Sequence, residues 1–149
     1  MSVEDRLRSF SALWARELAP YKVEEPGDLI KLDAMENPYP IPVELRDAWN
    51  EVLANVELNR YPDASAHELK LGLRDMHQLP ADVHVALGNG SDELIHLLCL
   101  AFSRSQGACV LSPEPTFVVY GITSQVFGMK KVGVALKEGD FSLDLDAML

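Results

Sequence analysis

Cysteine is scarce in this chain: two residues in 149, Cys99 and Cys109. That is too few for a disulfide framework, and both sit in apolar runs, which reads as two buried thiols. Basic residues are also short, 13 Lys and Arg against 23 Asp and Glu, for a net charge of -10. Such an acidic balance argues against nucleic acid or an anionic membrane surface as a partner. No apolar run is long enough to span a bilayer. Met1-Ser2-Val3-Glu4-Asp5-Arg6 lacks the basic region and apolar stretch of a signal peptide, so a cytoplasmic location is expected. The histidines are scattered, His67-Glu68 lacks the second histidine of a zinc-protease motif, and Asp140, Asp144 and Asp146 lack calcium-loop spacing. No metal site is expected.

What remains is the profile of an ordinary globular protein, 48% hydrophobic and 24% charged. Residues 3–18 carry Leu7, Phe10, Leu13, Trp14 and Leu18 at helical spacing, ending before Pro20. Residues 20–42 are proline-rich, and Asn37-Pro38-Tyr39-Pro40-Ile41-Pro42 cannot be a helix interior or a central strand. A helix is expected over 42–56. After the loop Asn59-Arg60-Tyr61-Pro62-Asp63 comes another helix, ending near His77, with Ser65 and Glu68 at capping-box spacing. The second half alternates: strand 83–87, helix 91–102, strand 108–111, turn Ser112-Pro113-Glu114-Pro115, helix 116–127 and strand 131–136. That order predicts an α/β fold with a mostly parallel sheet flanked by helices. The helix over 91–102 is apolar almost all round and is expected in the interior. The last residues, from Phe141 on, read as a helix just starting, so the chain is expected to be the N-terminal portion of something larger.

The most telling stretch is Leu87-Gly88-Asn89-Gly90-Ser91-Asp92-Glu93, set between a strand pattern and a helix pattern. Glycines let the backbone approach a ligand closely, and the first N–H groups of a helix point outward unpaired. This is the layout of a phosphate site; the alternative is that Ser91 and Asp92 only cap the helix. Phe117, in Pro113-Glu114-Pro115-Thr116-Phe117, falls at the carboxyl end of a strand, where open parallel sheets bind ligands. An aromatic ring beside a phosphate site suits a flat, phosphorylated ring.

Taken together, Asn37-Pro38-Tyr39, Arg60-Tyr61-Pro62-Asp63, Gly88-Asn89-Gly90-Ser91-Asp92-Glu93 and Pro115-Thr116-Phe117 resemble the first part of the histidinol-phosphate aminotransferase family. These are fold-type-I enzymes dependent on pyridoxal 5'-phosphate (PLP). The resemblance runs from about Leu18 to the end. It implies an N-terminal arm over 1–35, a helix plus extended segment making dimer contacts, followed over 36–149 by the first part of a PLP-binding large domain. It implies that Ser91 and Asp92 bind the PLP phosphate through backbone N–H groups and that Phe117 stacks on the pyridine ring. It implies that Tyr61 crosses a homodimer interface to the partner's PLP phosphate, that Tyr21 helps cover the neighbour's substrate, and that Asn37 lines the substrate pocket. Met35 stands where the family often has asparagine.

By the same resemblance the Schiff-base lysine, the aspartate for the pyridine nitrogen and the arginine for the substrate phosphate lie beyond residue 149. Lys22, Lys31, Lys70, Lys130, Lys131 and Lys137 do not sit in the family's lysine motif, so no catalytic residue is expected in this chain and the chain alone is expected to be inactive. The implied reaction of the intact enzyme is amino transfer between L-histidinol phosphate and 2-oxoglutarate, in histidine biosynthesis. Alternatives are another enzyme on the same fold, an aromatic aminotransferase or a threonine-phosphate decarboxylase, or a non-catalytic, phosphate-binding dimerisation module.

Overall fold

The computed structural model describes residues 2–11, 15–16, 25 and 27–149. The chain divides into two compact units, one of Met1–Tyr21 with Ala86–Leu149 and one of Lys22–Val85.

Helix α1 (Val3–Phe10) opens on a full capping box: Ser2 accepts from the Asp5 N–H while the Asp5 carboxylate accepts from the Ser2 N–H. The backbone turns extended at Ser11, earlier than the expected end near Pro20. Side chains explain the stop. Ser9 Oγ donates to the Arg6 carbonyl at 2.7 Å, and the Arg16 guanidinium donates to the Arg8 and Ser11 carbonyls, so side chains take up carbonyls at this break; Ala15 and Arg16 are helical again.

In the Lys22–Val85 unit, α2 (Val43–Ala54) follows Pro42, which occupies its N-cap. Leu45, Ala48, Trp49 and Val52 form an apolar stripe that, with Ile41, lines an open groove. Helix α3 (His67–Met76) begins at Ala66, in the left-handed region at φ 46°. The expected capping box of Ser65 and Glu68 does not form; Asp63 takes its place. Its carboxylate accepts from the Ser65 N–H and hydroxyl and from the His67 N–H, at 2.8–3.1 Å. The Ser65 hydroxyl, aided by the backbone N–H groups of Ser65 and His67, holds the Asp63 carboxyl below the ordinary aspartate range. The helix ends in a Schellman motif, Leu79 N–H to Arg74 O at 3.0 Å and Gln78 N–H to Asp75 O at 3.2 Å, with Gln78 rather than glycine left-handed at φ 50°.

The Ala86–Leu149 segment carries the sheet. Helix α4 (Gly90–Phe102) leads to β1 (Cys109–Glu114), α5 (Val118–Val126), β2 (Lys130–Ala135) and a last turn of helix, α6 (Leu145–Met148). The strands pair in parallel, Cys109 opposite Lys130 through Glu114 opposite Ala135. Helix α5 crosses over between them and packs on both strands, and α4 packs on α5. A second Schellman motif closes α5, Met129 N–H to Ser124 O at 2.8 Å and Gly128 N–H to Gln125 O at 3.2 Å, with Gly128 at φ 65°. The tightest packing is polar: Thr123, Ser124 and Ser112 are buried, and Ser112 Oγ and Thr123 Oγ1 have no hydrogen-bond partner among the described residues.

Three expectations fail here. Residues 83–87 are not a strand, because a strand exists only as part of a ladder and β1 and β2 pair with each other alone among the described residues. Strand β1 runs through Pro113 to Glu114, where a turn was expected; a proline is tolerated in a strand that needs its N–H on one side only. Helix α4 is not interior: Cys99 is its one buried residue, and Leu98, Leu100 and Phe102 are each more than half exposed. Helix α5 packs on a single face of this all-round apolar helix. For the same reason only one of the two thiols is buried. Cys99, whose pKa burial pushes up, is enclosed, whereas Cys109 is exposed.

Two outcomes follow. The Asp63 pKa is depressed in the folded state, so its contribution is complete above the unfolded value of about 4 and is lost as pH falls through the lower folded value. Asp63→Asn is expected to speed exchange of the His67 amide at neutral pH and to remove that acid dependence, as read by hydrogen exchange between pH 2 and 7. Gln78→Gly relieves a left-handed side chain and is expected to raise stability by up to about 1 kcal/mol, read from the denaturation midpoint.

Candidate functional site

The N-terminus of α4 is built around Gly90, left-handed at φ 81°, a conformation that a side chain would strain. Nothing lies within 4 Å of where its Cβ would stand, so the backbone is open on that side. Gly88 is the opposite case: a Cβ there would meet Leu94 Cγ and Cδ2 at 3.0 Å, so the turn closes against the helix it starts. Asn89 makes no side-chain capping bond. The N–H groups of Ser91 and Asp92, in the first turn, therefore have no acceptor within the helix. Glu93 folds back and accepts from the Asn89 N–H. The Ser91 hydroxyl has only a long contact, 3.5 Å, to Asp92 Oδ1. One turn on, His96 Nδ1 lies 2.8 Å from the Asp92 carbonyl, and its ring stands edge-on to Phe127 at 5.9 Å.

This donor set fits a phosphate. It offers two free backbone N–H groups, the positive end of a helix dipole and a glycine whose missing side chain leaves room for close approach. The carboxylates of Asp92 and Glu93 stand at the same helix end; Glu93 is engaged in holding Asn89, and Asp92 Oδ1 has only the long Ser91 contact.

Phe117 is the N-cap residue of α5, just after β1 and the cis Glu114-Pro115 bond. Its ring stands perpendicular to Tyr120 at 6.2 Å, and the residue is 44% exposed. Ser91, Asp92 and Phe117 belong to the same compact unit. Tyr61 and Asn37 belong to the other. Tyr61 is fully exposed, lining a shallow cleft with Asn55, Val56, Leu58, Arg60 and Pro62. Asn37 uses its side-chain oxygen to accept from the Tyr39 N–H at 3.0 Å, a local turn that stiffens the Pro38–Pro42 loop. Tyr21 lies outside the described residues. Among those residues, no group of three His, Cys, Asp or Glu is placed to hold a metal ion, and no helix is long and apolar enough to cross a membrane.

Two residues that hold these loops in place escaped the sequence reading. Glu93 sits one position past the capping-box place, so the usual spacing does not reveal it. Asp63 ends the Arg60-Tyr61-Pro62-Asp63 loop and anchors it to α3, so the residue that fixes the loop is two places from the one it presents.

The sequence matches the family described as aminotransferase class I and II over residues 27–149. It is 50% identical over 146 residues, 98% of this chain, to histidinol-phosphate aminotransferase 2 of Nitrosococcus oceani, of which it spans 40%. It is 45% identical over 148 residues to histidinol-phosphate aminotransferase 1 of Ralstonia nicotianae, spanning 39% of that protein and using 99% of its own length. With histidinol-phosphate aminotransferase of Thiocapsa roseopersicina the identity is 46% over 134 residues, 90% of this chain and 70% of that relative. The chain thus spans about two fifths of the length of the first two relatives. It belongs to the aminotransferase class I and II family, its helices and small parallel sheet forming part of a fold-type-I aminotransferase domain.

Proposed function

We propose that the whole protein carrying this chain is a PLP-dependent histidinol-phosphate aminotransferase. It exchanges an amino group between L-histidinol phosphate and 2-oxoglutarate, and it works in the cytoplasm as a homodimer. The observation that carries this reading is the open N-terminus of α4, where Gly90 at φ 81° leaves the Ser91 and Asp92 N–H groups free for a phosphate. The relatives, named for that activity and 45–50% identical, support the substrate.

Each residue then has a task. The Ser91 and Asp92 N–H groups hold the cofactor phosphate without any need of a basic side chain, which suits an acidic chain. Phe117 stacks against the pyridine ring and keeps water from that face. Tyr61 donates its hydroxyl to the phosphate of the partner subunit's cofactor, held out on the loop that Asp63 anchors. Tyr21 and Asn37 line the substrate pocket. When bound, PLP supplies the electron sink that amino transfer needs. No lysine among the 149 residues is assigned a catalytic role, and this chain alone is inactive under the reading. Residues 1–35 serve as an arm and 36–149 as the start of the large domain. The exposed apolar faces of α2 and α4 fit surfaces that pack on the rest of that assembly.

The test is turnover by the full-length protein: glutamate appears only when histidinol phosphate and 2-oxoglutarate are both present. Turnover of aromatic amino acids with none of histidinol phosphate would move the assignment to another aminotransferase of the same fold. Ser91→Pro removes one phosphate donor at a first-turn position where helices tolerate proline. It is expected to weaken PLP binding about tenfold or more, the loss of one hydrogen bond to a charged group, with little change in the melting temperature. Unchanged PLP affinity would count against the phosphate site.

A further inference from the structure

We infer that the Glu114–Lys131 ion pair is a positioning device that fixes the turn presenting Phe117, given the stacking role proposed for that ring. Glu114 is the last residue of β1 and Lys131 the second of β2. Their register partners are Ala135 and Val110, so the two residues are offset by four positions along the ladder, about 13 Å. The gap closes because Lys131 reaches forward and Glu114 leans back, Nζ donating to Oε1. Alternation puts Lys131, Gly133 and Ala135 on the same face as Glu114.

Two glycines make room for this. The Glu114 side chain crosses β2 at Gly133, where a Cβ would stand 2.6 Å from Cγ and 2.9 Å from Oε1. On the helix side, the Lys131 stem runs past Gly121 of α5, its Cδ 3.6 Å from where a Cβ would be. Neither glycine has a positive φ, so backbone conformation does not call for them. The pair does. Its side chains are 31% and 41% exposed, against 68% and 74% for Arg8 and Glu4. Less exposure means less screening and a stiffer pair.

Glu114 is also pinned through its backbone, accepting from the Leu136 N–H at 3.0 Å. The residue at which the chain leaves the sheet is therefore held by main chain and side chain together. Phe117 follows three residues later and starts α5, the helix that Lys131 touches at Gly121.

The experiment uses the full-length holoprotein and reads PLP affinity, the visible circular dichroism of bound PLP, and the melting temperature. The variants are Glu114→Gln, Lys131→Met, Lys131→Arg and Phe117→Ala, with Gly133→Ala to expel Glu114 while keeping both charges. Glu114→Gln, Lys131→Met and Gly133→Ala are each expected to weaken PLP binding about fivefold and to change the dichroic band as Phe117→Ala does, while Lys131→Arg retains both. A lowered melting temperature with unaltered dichroism and affinity in Glu114→Gln and Gly133→Ala would make the pair purely structural and overturn the inference. If Phe117→Ala itself leaves the band and the affinity unchanged, the stacking role fails first, whatever the pair does.

Discussion

The parallel pairing of β1 with β2 is the constraint on which the Ala86–Leu149 segment depends. Parallel neighbours cannot be joined by a hairpin, so the chain must leave β1, cross over and return. That requirement produces α5, sets its packing on both strands, and places Phe117 where the chain departs from the sheet. The same ladder brings Glu114 and Lys131 onto one face and gives Gly133 its purpose. The candidate phosphate site is attached through α4, which packs on α5.

What the ladder does not supply is a full hydrophobic core. The residues most deeply buried are small and mostly polar, Ser112, Thr123 and Ser124 beside Cys99, while long aliphatic side chains of α2 and α4 stay open to solvent. Burying one such side chain is worth about 1.5–3 kcal/mol, so these faces hold a large store of stabilisation not drawn on within the chain itself. The backbone compensates locally. Capping at Ser2 and Asp63 and two Schellman endings satisfy helix termini through local bonds.

Sequence pattern located the helices and strands wherever periodicity was strong: α4 begins one residue from its expected start, and β2 is displaced by one residue at each end. It failed where the outcome depended on a partner. The Val-rich pattern of 83–87 fits a strand, yet pattern cannot say whether a neighbour is present. All-round apolarity in α4 reads as an interior helix, yet only Cys99 is buried, because pattern does not say which neighbours are present to cover it. Capping was misread at Ser65 because Asp63, two residues earlier, competes with it through a carboxylate of two acceptor oxygens. At the candidate site the Gly-Asn-Gly-Ser turn was legible because it depends on local chemistry alone. The Glu114–Lys131 pair was not, since it rests on a strand register that no local motif encodes.

The two units differ in how they occupy the chain. Lys22–Val85 is continuous, whereas the other unit draws on residues before and after it. Every contact of the continuous unit can form once residue 85 has left the ribosome. The sheet must wait for β2 at residues 130–135, and only then does β1 gain its partner. During synthesis, about 33 residues, made at 5–20 per second, separate the end of α4 at Phe102 from the end of β2 at Ala135, so for a few seconds α4 is complete before the sheet to which α5 ties it.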